Sequence, residues 1–410
     1  MSEGDTPSSP VSGDPAAGAA AGETRVDPAA VEGLLAAVRA HPLGVDYLMN
    51  GFLGSVAATF GVHAFVVEEA RRRARPGDPG RQGTPASLPG SVVACECWAR
   101  DGLQSMPVLV STEHKVEMIE RIVDAGFPKL EVTSFSHPKL LPQFADAEEV
   151  LKRIRRKPGV SYVVLMPNTR GFDRLEACQK EGRGADEIIL MISASERHNE
   201  LNFRMAHAEA MAEHAAIMKR AHPLGIRVIG CAGTVYGCPV AGDITTAEVA
   251  KIVRFYLEEG AQTIMLGDTT GVANPRLVRE RVGELMAAFP KAEFIAHFHD
   301  TRGSGVANTL AMLELGVRYV DCSVGAIGGQ PATGAAKYSA GYTGNTCSED
   351  LIAILSEMGV RTGIDVETLI DAGLRAEAIL GQKLRSNVIR CGPVIHGESA
   401  PDKEAGVKPA

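Results

Sequence analysis

From residue 91 onward, short runs rich in apolar and β-branched residues alternate with longer stretches whose apolar positions recur every three or four residues. The strand-like runs lie near 91–99, 128–133, 160–166, 186–193, 226–233, 262–268, 293–299 and 318–325. Segments such as 112–125, 144–155, 205–222, 245–259, 275–288 and 303–316 between them carry the helical period. Strands and helices in strict alternation imply parallel βα units, and about 250 residues of them close most economically into a (β/α)8 TIM barrel, an α/β fold. The rival is an open doubly wound sheet. No Gly-x-Gly-x-x-Gly follows the first strand, so a dinucleotide-binding version gains no support.

The chain before residue 91 reads differently. Residues 1–26 are mostly Ser, Gly, Ala, Pro and Asp, and a disordered tail is expected there. Residues 27–75 are expected to form a helical extension: Val31, Leu34, Leu35 and Val38 follow one helical stripe, His41-Pro42 breaks it, and Leu48, Phe52, Val56 and Phe60 make a second. The stretch 51–67 is apolar, but it is too short to span a bilayer, carries His63 and ends in Glu68-Glu69. A packed hairpin or an oligomer contact is the better reading, and no membrane association is expected. Residues 76–90 read as a linker and 91–345 as the barrel domain. Residues 346–397 are taken as carboxyl-terminal helices packed on the barrel, and 398–410 as a second disordered tail.

A net charge of −8 in 410 residues and a pI near 5.8 speak against a nucleic-acid partner, and an apolar fraction of 45% suffices for one large core. The basic run Arg71-Arg72-Arg73 ends an expected helix, where cations are favourable in any case. The eight cysteines are scattered through expected core strands, which predicts buried free thiols rather than a disulfide framework. The acidic, small-residue amino terminus lacks a basic segment leading into an apolar one, so a cytoplasmic location is expected.

The chemistry collects where the strands end. Arg100-Asp101 follows the first strand, with Gln104 just beyond; Glu131 lies on the second, and Asn168 follows the third. Ser195 follows the fourth, Asp268 ends the sixth, His297-Phe298-His299 ends the seventh, and a glycine-rich run reaches Gln330 after the eighth. Residues i and i+2 on a strand share a face, so His297 and His299 point the same way. One carboxylate and two imidazoles converging at the carboxyl end of a barrel would suit a divalent metal with positions left open for substrate. Single members have ordinary explanations: Asp268 before Thr-Thr-Gly has the form of a helix cap. Recurrence at the same end of successive strands is harder to attribute to capping.

Five motifs, in this order, carry a resemblance: Ala-Arg-Asp-Gly-Leu-Gln (99–104), Leu-Glu-Val-Thr-Ser-Phe (130–135), Leu-Gly-Asp-Thr-Thr-Gly (266–271), His-Phe-His-Asp-Thr (297–301), and Gly344-Asn345 followed by Glu349-Asp350. Together they resemble the DRE-TIM metallolyases. Pro138-Lys139, Pro142-Gln143, Gly237-Cys238-Pro239 and Thr362-Gly363-Ile364-Asp365 are most similar to the 3-hydroxy-3-methylglutaryl-CoA lyase branch. The resemblance covers roughly residues 91–390. It implies that Asp101, His297 and His299 bind a divalent cation, with Asn345 as a weaker fourth ligand. Mg²⁺ or Mn²⁺ is favoured by the absence of thiolate. It also implies that Arg100 stabilises an enolate, that Glu131 and Asp268 orient ligands or handle protons, and that His297 takes part in catalysis. Gln104, Asn168, Ser195 and Gln330 would bind substrate.

The sequence departs from that branch in two places. The branch carries an acid-donating cysteine after Gly-Gly in the loop following strand eight, where this chain has Gln330, and an amide cannot donate a proton at neutral pH. Ser105-Met106-Pro107 stands where the branch has an acidic and basic pair. Lys337, Tyr338 and Cys347 are the alternative acids, with Cys347 better read as a core residue. The leading expectation is a metal-dependent carbon–carbon lyase acting on a hydroxyacyl-CoA or hydroxy acid. A Claisen or aldol condensing enzyme and a non-catalytic homologue are the alternatives. A homodimer is expected, with residues 27–75 as a candidate docking segment for a carrier protein.

Overall fold

The computed structural model describes residues 88–329 and 343–395. The expectations for 1–26, 27–75 and 398–410, and those for Gln330, Lys337 and Tyr338, lie outside the described residues.

Eight parallel strands close into a barrel in sequence order, which decides against an open sheet. They are β1 (Val93–Glu96), β2 (Lys129–Ser134), β3 (Ser161–Leu165), β4 (Glu187–Ser193), β5 (Arg227–Gly233), β6 (Thr263–Asp268), β7 (Glu293–Phe298) and β8 (Tyr319–Cys322). The helices between them are α1 (Thr112–Asp124), α2 (Ala147–Arg153), α3 (Thr169–Lys180), α4 (Glu196–Phe203), α5 (His207–Ala221), α6 (Thr246–Glu258), α7 (Pro275–Ala288) and α8 (Gly305–Leu313). Then come α9 (Ser348–Glu357), α10 (Val366–Leu380) and the short α11 (Val388–Cys391). The eight strands fall where the apolar runs placed them. Helix α3 fills the place that strict alternation requires, though its bounds were not among the segments named; α4 was not anticipated, and β1 ends at Glu96 rather than continuing to residue 99. A π-helical turn, Trp98–Gly102, follows it.

Alternation along the strands sorts the barrel interior into layers. At the amino ends, Lys129 donates to Glu187 at 2.7 Å and Arg227 donates to the same carboxylate at 2.8 Å, a charged layer satisfied within itself. Burial alone would raise the Glu187 carboxyl, but Lys129, Ser161 and Arg227 outweigh it and hold the pKa below the ordinary value. Above it Val163, Ile189, Ile229, Cys231, Met265 and Ile295 pack together as an apolar filling, so the barrel is a core and not a pore. Glu131, Asp268 and His297 lie on β2, β6 and β7, and Arg100, Asp101, Asn168, Ser195 and His299 follow the carboxyl ends of their strands. Outside the barrel, Gly230 on β5 lets the Tyr256 ring of α6 lie flat against the strand, because any Cβ there would overlap the ring.

The loops that lead into the helices end in capping side chains. Ser111 (α1), Asn168 (α3), Ser195 (α4), Thr245 (α6) and Asn274 (α7) each accept a hydrogen bond from a first-turn amide. All eight cysteines are free thiols; seven are buried as expected, and Cys391 in α11 is exposed. Among the described residues no helix is long and apolar enough to cross a membrane.

Candidate metal centre and active site

The π-helical turn after β1 lifts Arg100 and Asp101 over the barrel mouth. Its signature is the bond from the Gly102 amide to the Cys97 carbonyl (2.9 Å), and the fully buried Trp98 anchors it. Adding one residue per turn lets two consecutive side chains serve the same site. Arg100 donates through Nε to Glu131 on β2, and through a terminal nitrogen to Asp101 Oδ1 at 2.8 Å. All three residues are buried.

Asp101 uses its other oxygen differently. Oδ2 accepts from the Asn345 side-chain amide at 2.7 Å and from the Gly329 backbone at 3.1 Å, and it lies 3.4 Å from His299 Nε2. Burial alone would raise the Asp101 carboxyl, but Arg100, His299 and His297 override it and hold it well below the usual carboxylate range. It is therefore an anion at every physiological pH.

The two imidazoles complete the cluster. His299 Nδ1 is 2.7 Å from the Thr269 carbonyl, and His297 Nδ1 is 3.0 Å from the Asp321 carboxylate. Both partners are acceptors, so each ring carries its hydrogen on Nδ1, and each neutral ring leaves a lone pair on Nε2. Those two Nε2 atoms face each other 3.1 Å apart. Two lone pairs at that distance repel unless a positive charge sits between them. The pKa of His297 reflects the same demand: burial opposes a charge, yet Asp321, Asp101 and Glu131 prevail and raise it.

The donor set fits a hard divalent cation. Donor atoms of Asp101, His297 and His299 all lie within 4.8 Å of one another. The 3.1 and 3.4 Å separations match the edge of about 3 Å between neighbouring ligands around an ion bound at about 2.1 Å. One carboxylate and two imidazoles on one side leave the opposite side for substrate.

Comparison with known proteins agrees with this reading. A family model described as HMGL-like matches residues 91–374. The chain belongs to the HMGL-like family. It is 37% identical over 302 residues to the human mitochondrial hydroxymethylglutaryl-CoA lyase, covering 74% of this chain and 90% of that one. It is 35% identical over 298 residues to the Bacillus subtilis hydroxymethylglutaryl-CoA lyase, covering 73% and 96%. A solved HMG-CoA lyase from Acinetobacter baumannii, in complex with coenzyme A and 3-methylmalate, superposes with a TM-score of 0.69 at 34% identity, covering 80% of this chain and all of that one. The likeness to the carboxyl transferase domain of Rhizobium etli pyruvate carboxylase (TM-score 0.52, 18% identity) concerns the fold alone.

Not every residue singled out in the sequence meets this HMGL-like centre in the same way. Asn345 does meet it, but turns its amide nitrogen to Asp101 and to the Ile327 carbonyl, so it braces Asp101 in this arrangement. Asp268 accepts from the Val272 and Ala273 amides at 2.9 and 3.1 Å. It shapes the loop whose Thr269 carbonyl orients His299, and burial raises its pKa against those two bonds. Asn168 and Ser195 spend their side-chain oxygens as helix caps. Gln104 is half-buried just past the π-turn. Cys347 is buried and donates to Glu349 at 3.0 Å, which agrees with a core role. Sequence reasoning missed Asp321, the Thr269 carbonyl and Cys97, whose thiol lies 3.3 Å from Glu131. A signal for Asp321 existed: an acidic residue inside the buried run Val320-Asp321-Cys322, on the inward alternation.

Proposed function

We propose that this protein is a divalent-metal-dependent carbon–carbon lyase that cleaves 3-hydroxy-3-methylglutaryl-CoA or a close hydroxyacyl-CoA, with Mg²⁺ or Mn²⁺ as its cation. The observation that carries the reading is the pair of Nε2 lone pairs held face to face beside the Asp101 carboxylate. Asp101, His297 and His299 would hold the cation, and Asn345 could join them by turning its amide oxygen inward. When bound, the cation supplies a Lewis acid that acidifies the substrate hydroxyl and polarises the neighbouring oxygens.

The chain's own residues supply the rest. A base takes the tertiary hydroxyl proton, that oxygen becomes a ketone, and the bond between C2 and C3 breaks with its electron pair passing to the thioester as an enolate. Arg100, held by Glu131 and Asp101, presents a fixed positive charge to that enolate oxygen. Asp321 fixes the His297 tautomer by accepting from Nδ1, which leaves Nε2 free for the cation. Protonation of the enolate carbon closes the reaction to a keto acid and acetyl-CoA. With Gln330 in place of the family's cysteine, that proton comes from another group or from water. Free thiols suit a reducing, cytoplasmic setting.

The test is turnover of 3-hydroxy-3-methylglutaryl-CoA with Mg²⁺ or Mn²⁺, measured beside acetyl-CoA consumption with several keto acids. Metal-dependent cleavage is expected, and chelation should abolish it. Condensation without cleavage would replace this reading with the synthase alternative. Silence in both assays with metal still bound would indicate a non-catalytic homologue.

A further inference from the structure

On the Nδ1 side of the His297 ring, away from Asp101 and His299, four side chains converge in a second cluster. Cys97 follows β1, Glu131 lies on β2, His297 on β7 and Asp321 on β8, four neighbours around the closed barrel. All four are buried, and one donor atom from each lies within 4.8 Å of the others. Two separations are shorter: Cys97 Sγ stands 3.3 Å from Glu131 Oε1, and His297 Nδ1 stands 3.0 Å from Asp321 Oδ2. Four donors bound at about 2.0–2.3 Å to a tetrahedral ion stand about 3.3–3.8 Å apart. The observed separations bracket that value, so an ion would replace hydrogens, those of the thiol and of Nδ1, rather than heavy atoms.

Two carboxylate oxygens in the cluster have a weak partner or none. Glu131 gives Oε2 to Arg100, and its Oε1 meets the thiol, a weak donor. Asp321 gives Oδ2 to His297, while its buried Oδ1 has no hydrogen-bond partner among the described residues. A buried carboxylate oxygen without a donor is costly, and a cation beside it would remove that cost.

The donors also differ in kind from the first set. Asp101, His297 and His299 offer oxygen and nitrogen, whereas this cluster adds sulfur. A thiolate with imidazole and carboxylates at tetrahedral spacing favours an ion of the zinc class over Mg²⁺. A neutral imidazole has one lone pair, so His297 serves one ion at a time. An ion on Nδ1 therefore withdraws Nε2 from a cation shared with Asp101 and His299.

We propose that Cys97, Glu131, His297 and Asp321 form a second, thiolate-containing site for a zinc-class divalent ion, whose occupation excludes the cation of the first. The proposal goes beyond the lyase reading, and its test reads bound metal rather than turnover, so either can fail without the other.

Co²⁺ is the probe, added to full-length protein carrying Cys391→Ser, which removes the exposed thiol. A thiolate-to-cobalt charge-transfer band in the near ultraviolet is expected, and it should be lost when Cys97→Ala is added. Cobalt binding without the band, no cobalt binding, or a band that survives Cys97→Ala would overturn the site. X-ray absorption on the zinc-loaded parent needs no second substitution: one sulfur at about 2.3 Å supports the proposal, and nitrogen and oxygen alone overturn it. Zn²⁺ should also release bound Mn²⁺ at lower concentration from the parent than from Cys97→Ala, read by electron paramagnetic resonance. Equal release would overturn the exclusion between the two sites.

Discussion

Arg100 and Asp101 are neighbours in the chain with separable duties, and substitution should separate them. Asp101→Ala or His299→Ala removes a donor from the cluster, so calorimetric Mn²⁺ binding and turnover should vanish together. Arg100→Ala should keep Mn²⁺ binding and lower kcat about 10²–10³-fold, the usual cost of removing one oxyanion donor. Loss of metal in that variant would show that Arg100 works by holding Asp101. Asp321 tests the orientation of His297: Asp321→Ala frees Nδ1, and Mn²⁺ affinity should fall about 10–100-fold while the fold persists. The three residues proposed as ligands could be singled out in the sequence because a strand places His297 and His299 on one face and a conspicuous Arg-Asp pair answers them. Asp321 was not, since its role depends on which residue of β7 stands beside β8, a matter of barrel register. Asn168 and Ser195 show the opposite case, in which a side chain at the right end of a strand has a local task.

Elements set the precision of the centre. The π-turn Trp98–Gly102 was invisible to periodicity, because one extra residue in a five-residue turn leaves no repeat to detect, and the apolar Trp98-Ala99 prolonged the strand pattern. Helix α4 escaped for a different reason: Glu-Arg-His-Asn-Glu-Leu-Asn-Phe has no apolar stripe, and caps and side-chain bonds hold it. The loop after β8 closes on the π-turn so tightly that Gly328, at φ +102°, has no room for a side chain. A Cβ there would lie 2.5 Å from both Asn345 Nδ2 and the Asp101 carbonyl. Gly328→Ala should therefore cost about 1–3 kcal/mol of stability from backbone strain and also weaken Mn²⁺ binding, because the displaced atoms belong to Asp101 and Asn345. Thermal melting and calorimetry on the same sample check both. A stable variant with normal metal affinity would mean that the loop yields more easily than this packing indicates.

At the scale of the whole molecule, the barrel stores two carboxyls where β1, the β8 loop and α9 meet. Glu96 accepts from the Trp98 amide at 2.8 Å, from the Val324 amide, and from the Ser348 hydroxyl at 3.2 Å. Glu349 accepts from the Gly325 amide and from the Cys347 thiol. Burial outweighs these bonds and pushes Glu96 up to about 8 and Glu349 up to about 7, each also raised by a nearby acid, Glu349 and Asp350 respectively. Both therefore hold protons in the folded state that they release when unfolded, where a glutamate titrates near 4.3. The folded state binds the extra protons, so stability falls as pH rises toward the folded pKa values, by on the order of 1 kcal/mol per pH unit for each carboxyl still protonated. Below about pH 6.5 this trend is opposed by His198 and His214, whose pKa values burial lowers, to about 4 for His214. The clean window is thus pH 6.5 to 8, where the raised His297 acts in the same direction as the glutamates. The melting temperature of the chelator-treated protein should fall across that window. A flat or rising profile would mean that the two carboxyls are ionised in the fold and that the seam between β1 and α9 is more polar than its burial implies.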